Sequence, residues 1–127
     1  MDYRRNIFVN EKSSDLIKMS LAPKWFALFK SGKKNVEVRL FDEKRQGINV
    51  GDLLEMVNAQ TNESVTARVR ALYRFGSFIE LGQSALVNAC GFEGMTPDEI
   101  EALMRGFYSE ADEKRYGVLA IETEVEK

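Results

Sequence analysis

Lys34, Glu37 and Arg39 fall within the stretch GKKNVEVR, Gly32 to Arg39. If this stretch is a strand, Glu37, Arg39 and Phe41 share one face, and Val36, Val38 and Leu40 share the other. A carboxylate and a guanidinium on one face can pair with each other or with a ligand. On a solvated sheet face such a pair contributes little. In a barrel mouth each charge costs free energy unless it is matched. Lys34 sits where the chain enters the strand, so it need not follow the alternation. The pattern allows two readings, a solvated edge beside a helix stop or the floor of a binding site.

The rest of the composition limits the chemistry. The 127 residues contain no histidine and one cysteine, Cys90. No Ser-His or Cys-His nucleophile pair can form, and no zinc site of the usual His/Cys kind. No metal and no cofactor are expected. Catalysis would run on Lys, Glu, Asp, Tyr, Ser or Thr. Cys90 lies in an apolar stretch and reads as a small buried hydrophobe. A lone cysteine excludes an internal disulfide and fits a reducing compartment, so a cytoplasmic location is expected. No apolar run approaches the roughly 20 residues that span a bilayer.

The net charge of −2 does not advertise a nucleic-acid binder. Its distribution is uneven. Seven bases and three acids lie between Lys24 and Arg45, whereas ten acids and four bases lie between Glu93 and Lys127. The Asp42–Arg45 run DEKR reads as a solvated loop or a lid over the site.

Periodicity and punctuation supply the elements that must position these residues. Residues 1–14 read as an N-terminal arm or extra strand, and 15–127 as one domain. DLIKMSL reads as a strand. PKWFALFKSG reads as a helix, with Pro23 at its first position and Gly32 just past its end. Trp25, Leu28 and Phe29 share its inward face. NVEVRLF and LLEMVN are strands, and VTARVRALYR returns as a hairpin partner with Val65, Ala67, Val69 and Ala71 on its small apolar face. Ser77 with Glu80, Thr96 with Glu99, and Ser109 with Asp112 mark helix starts, so helices are expected near 77–83, 97–107 and 110–115. YGVLAIETEV closes the sheet. Strands at both ends and in the middle, with helices between, indicate an α+β fold: a small, mostly antiparallel β-barrel with short helices at its rim.

The ordered set Gly32, Lys34, Glu37 and Arg39, then Gly51-Asp52 after a polar loop, resembles the signature of the ASCH domain family, part of the PUA-like superfamily. The resemblance extends through YRFGSFIEL and YSEADEKRYGVLAIE and spans about residues 15–125. It implies a small barrel with a cleft beside the signature strand that binds RNA, a nucleotide or a modified nucleoside. Lys34 and Arg39, with Arg45 nearby, would meet phosphate or a base edge. Glu37 would hold them in place or accept a hydrogen bond from the base. Tyr73, Phe75 and Tyr108 would supply stacking surfaces.

A subgroup of the family hydrolyses the acetyl amide of acetylcytidine, using a lysine, a threonine and a distant glutamate. Lys34 matches the lysine and Glu93 the glutamate, but Glu37 stands at the threonine position. A carboxylate there would have to activate water as a general base. The leading expectation is therefore a binding domain for RNA or a nucleoside. The alternative is a small amidohydrolase using Lys34, Glu37 and Glu93, and a third is a module whose acidic helical end recruits a protein.

Overall fold

A computed structural model describes residues 16–126. The arm or extra strand expected at 1–14 lies outside them. The strands are β1 (Ile17–Leu21), β2 (Val36–Leu40), β3 (Leu53–Asn58), β4 (Ser64–Phe75) and β5 (Val118–Val125). The helices are α1 (Pro23–Lys30), α2 (Phe78–Gly82), α3 (Pro97–Met104) and α4 (Glu110–Tyr116).

The five strands form one sheet in the order β1-β3-β4-β5-β2. β1 pairs parallel with β3, and every other pairing is antiparallel. The two edges of the sheet are thus β1 and β2. The sheet curls until these edges are neighbours, and one side chain bridges the seam. Nη2 of Arg39 on β2 donates to the carbonyl of Ser20 on β1 at 3.0 Å. The result is an α+β half-barrel with short helices around it.

Each face of the sheet has its own core. Inside the curl, Met19, Leu21, Leu54, Met56, Leu119 and Ile121 pack with Phe26 and Phe29 of α1. Outside it, Val36, Val38 and Leu40 pack with Phe78, Leu81, Ile100 and Met104 from α2 and α3. The alternation of β2 is what separates the two. Glu37 lies opposite Ile121, and Arg39 opposite Leu119. Directly opposed residues share a face, so Glu37 and Arg39 belong to the inner side.

Local chemistry sets the boundaries. Gly32 adopts φ +85°, which ends α1 at the position glycine favours. The hydroxyls of Ser77, Thr96 and Ser109 each accept a backbone N–H at a helix start. At Thr96 the box is complete, because Glu99 accepts the N–H of Thr96 in return at 2.9 Å. α3 stops at Met104, short of the 107 expected. Gly106 disfavours a further turn, and residues 105–108 form a tight turn instead.

One irregularity corrects the expected pattern. The β4–β5 register slips between Val69 and Ala71. The single extra residue of the bulge exchanges the two faces of β4 beyond it. Ala71 therefore leaves the face of Ala67 and Val69, and Leu72 and Arg74 take its place opposite Ile121 and Leu119. Among the described residues, no helix is long and apolar enough to cross a membrane.

Candidate functional site

Lys34 is the most enclosed member of the site. Its backbone N–H bonds back to Leu28 in α1 at 3.0 Å, which carries the chain from helix to strand. Its residue is only 4% exposed. Nζ donates to the carbonyls of Val36 at 2.7 Å and Cys90 at 2.9 Å. It also sits 3.1 Å from Oε1 of Glu37. The rings of Trp25 and Phe92 flank it, with centroids 5.7 and 5.8 Å away. Three acceptors around one nitrogen match the three donors of an ammonium.

Glu37 links this ammonium to Arg39. Its second oxygen, Oε2, accepts from Nε of Arg39 at 2.8 Å. The chain of contacts runs from the Cys90 carbonyl through Lys34, Glu37 and Arg39 to the Ser20 carbonyl at the barrel seam. One carboxylate stands between two cations, so the group keeps a net positive charge. Arg39 spends Nε on Glu37 and one N–H of Nη2 on Ser20. Its Nη1 finds no acceptor among the described residues. Of the three charged side chains, Arg39 alone keeps N–H groups for a ligand.

These residues form the floor of a cleft at the seam between β1 and β2, with a volume of about 120 Å³. Its walls are Trp25, Phe92, Leu103, Met104, Phe107 and Tyr108. An apolar cavity of about 150 Å³ takes up benzene, so a cleft of this volume encloses at most one small planar ring. The far wall is held by the turn after α3. Arg105 pairs with Glu113 at 2.8 Å and Glu101 at 3.2 Å, and donates to the Tyr108 carbonyl at 3.3 Å. Tyr108 stacks on Phe78 with centroids 6.0 Å apart. Burial pushes the Tyr108 hydroxyl above its ordinary pKa, while Arg39 and Arg45 pull it down and Glu37 and Asp42 push it up. The neighbouring Phe107 is 62% exposed at the rim.

Lys34, Glu37, Arg39 and Tyr108 thus line one cleft. Arg45 stays at the edge, where its guanidinium is held by Asp42 at 2.9 Å and its charge reaches Tyr108 without lining the cleft. Tyr73 is not part of this cleft. The bulge turns it to the face of Ala120, and its hydroxyl donates to Glu122 at 2.9 Å. Phe75 packs against the outer core instead. Glu93 is exposed and outside the cleft lining, in a turn with Gly91 at φ +86° and Gly94 at φ +81°. Among the described residues its carboxylate makes no ion pair with Lys34, which is turned toward Glu37. Trp25, Phe92 and Phe107 line the cleft and escaped the sequence reading. Trp25 was legible only as an inward helix face.

No described group of three or more His, Cys, Asp or Glu residues could hold a metal ion. Cys90 is fully buried, and that burial pushes its thiol up to about 11, with Lys34 pulling down and Glu37 pushing up. A neutral thiol is not a nucleophile at ordinary pH.

The ASCH domain family model matches residues 19–127. The chain is similar to the hypothetical protein PH0355, with 31% identity and a TM-score of 0.78 over 88% of this chain and 100% of that one. It is also similar to protein PF0455 from Pyrococcus furiosus, with 35% identity and a TM-score of 0.67 over 87% and 97% of the two chains. The crystal structure of ASCH from Zymomonas mobilis shares the fold at 17% identity and a TM-score of 0.50, over 87% of this chain and 66% of that one. A comparison with curated proteins found no significant match.

Proposed function

We propose a function from one premise: the chain belongs to the ASCH domain family, a PUA-like fold often proposed to bind RNA. In this reading the seam cleft binds RNA, a nucleotide or a modified nucleoside. The observation that carries it is Arg39, a guanidinium with unspent N–H groups on the floor of a cleft walled by aromatic rings. A planar base held between Trp25 and the Phe107–Tyr108 turn gains stacking energy, and Arg39 meets its polar edge or its phosphate. Glu37 holds Arg39 in position, with both of its oxygens committed to cations. Lys34 holds Glu37 from below and supplies field rather than contact.

An amidohydrolase would place different demands on the same residues. A water-activating carboxylate needs lone pairs free of cations, and both oxygens of Glu37 accept from one. A lysine base needs an unspent lone pair, and the nitrogen of Lys34 faces three acceptors. The arrangement supports binding over turnover.

The test is equilibrium binding of nucleosides, nucleotides and short single-stranded RNA to wild type and Arg39→Gln. Saturable binding that weakens by about tenfold or more in the variant supports the reading. Binding indifferent to Arg39→Gln refutes it, as does turnover of acetylcytidine that depends on Lys34 and Glu37.

A further inference from the structure

Seven arginines lie among the described residues. Five pair with carboxylates: Arg39, Arg45, Arg68, Arg70 and Arg105. Arg74 and Arg115 pair with no described carboxylate, and both line a second cleft, where β4 ends and β5 begins. Lys114 lines it too, its ammonium 3.7 Å from Glu110. No described acid lines this cleft, although Glu80 reaches its edge, accepting from the N–H of Gly76 at 2.9 Å. The nearby Glu43 is held from the side, accepting from the Tyr116 hydroxyl at 3.3 Å.

An aromatic ring, in place of a carboxylate, orders the Arg74 guanidinium, and a second ring lies near that of Arg115. Arg74 lies 3.5 Å from the Phe41 ring centroid, and Arg115 lies 5.0 Å from that of Tyr116. A ring against the guanidinium plane restricts its orientation and leaves the in-plane N–H edges for an acceptor. The backbone beside Arg74 is that of a glycine. Gly117 adopts φ +74°, and a Cβ added there would stand 3.9 Å from Nη2 of Arg74. The position of Arg74 depends on the β4 bulge, which brings it to the face of Leu119.

The second cleft shares no lining residue with the first, but the strand register relates the two. Arg74 is opposite Leu119, and Leu119 is opposite Arg39, so the three form one row across β4, β5 and β2. Two strand spacings separate the arginine backbones by roughly 10 Å. A ligand with a planar ring and a phosphate on one sugar backbone can reach both. Paired guanidiniums with a lysine beside them suit phosphate oxygens.

We infer that this second cleft, at Arg74 and Arg115, binds the phosphodiester backbone of a single-stranded nucleic acid whose base occupies the seam cleft. The identity of the ligand rests on the nucleotide reading of the first cleft. The pair of uncommitted guanidiniums does not.

The experiment measures affinity and its salt dependence for a short single-stranded RNA, a free nucleoside, inorganic phosphate and an acidic phosphopeptide. The proteins are wild type, Arg74→Gln, Arg115→Gln, Arg74→Lys and, for the first cleft, Arg39→Gln. Each glutamine variant should weaken RNA binding about tenfold and lower the salt slope by about one. Neither should alter binding of the free nucleoside. Arg74→Lys should recover part of the loss, and Arg115, being exposed, changes without loss of thermal stability.

RNA affinity and salt slope unchanged in both glutamine variants overturn the inference, and if the nucleoside still binds through Arg39, the first reading survives alone. RNA binding that depends on Arg74 and Arg115 when the nucleoside does not bind removes the first reading and overturns the placing of the base in the seam cleft, leaving only the phosphate contact at the two arginines. Inorganic phosphate or the phosphopeptide binding as tightly as RNA overturns the nucleic-acid assignment.

Discussion

Replacing Glu37 with glutamine keeps the side-chain shape and removes the charge that joins two cations. Glu37 lies 3.1 Å from Lys34 Nζ and 2.8 Å from Arg39 Nε. A glutamine offers one carbonyl oxygen and must turn its amide donors toward the other cation. The Lys34 and Glu37 side chains are 4% and 8% exposed, so water cannot take over the lost contact. Removing one partner of a buried pair costs about 3–5 kcal/mol. Lys34 keeps the Val36 and Cys90 carbonyls, and Arg39 keeps Ser20, which places the expected cost near the lower end, about 3 kcal/mol. For a domain of this size about 1 kcal/mol moves Tm by roughly 4 °C, so Tm should fall by about 12 °C. Denaturant unfolding and calorimetry should compare Glu37→Gln, Lys34→Met and the double variant. Lys34→Met leaves Glu37 with Arg39 and strands two carbonyls, at about 1–3 kcal/mol each, so it should cost about 2–6 kcal/mol. Because the two residues touch, the double variant should lose less than the sum by about 1 kcal/mol or more. A loss below about 1 kcal/mol for Glu37→Gln, or strict additivity, would refute the view of Glu37 as the link between two buried or half-buried cations.

Phe107→Ala should leave stability within about 0.5 kcal/mol, since the ring is mostly exposed. It should weaken ligand binding by about 1–3 kcal/mol, read by melting and by titration. A Cβ at Gly82 would lie 2.7 Å from the Pro97 backbone, so Gly82→Ala should cost about 1–3 kcal/mol in denaturant unfolding as α2 is forced away from α3. The Cys90 thiol is raised in the fold from 9.0 to about 11. The unfolded chain therefore loses this proton first, and the thiol's contribution to stability is full below pH 9 and fades as pH rises toward 11. Stability of wild type should drop through that window more than that of Cys90→Ala, and parallel pH profiles would contradict the assignment.

Much of the site was legible because period-two alternation and helix punctuation are local signals. VEVR alone separates the outer-core valines from Glu37 and Arg39, and register with Ile121 and Leu119 confirms that split. The helix starts at Ser77, Thr96 and Ser109 follow from side chains that cap within three residues. The face of Tyr73 was not legible, because a one-residue bulge near Arg70 has no strong residue signature and reverses everything after it. The walls from Trp25, Phe92 and Phe107 were not legible either. They meet only because the curl brings β1 beside β2 and α3 ends early enough to leave a turn at the rim. Glu93 matched by position along the chain, whereas its exposure depends on the turn around it.

Trp25 is the single tryptophan of the chain and lines the cleft beside Lys34. Its fluorescence therefore reports occupancy of the cleft with no added label. Titration of a nucleotide or a short single-stranded RNA into the wild-type protein should change this emission saturably, and Arg39→Gln should shift the midpoint about tenfold or more to higher concentration. An emission that never saturates, or a midpoint the same in wild type and Arg39→Gln, would contradict the account of the seam cleft as a nucleotide-binding site.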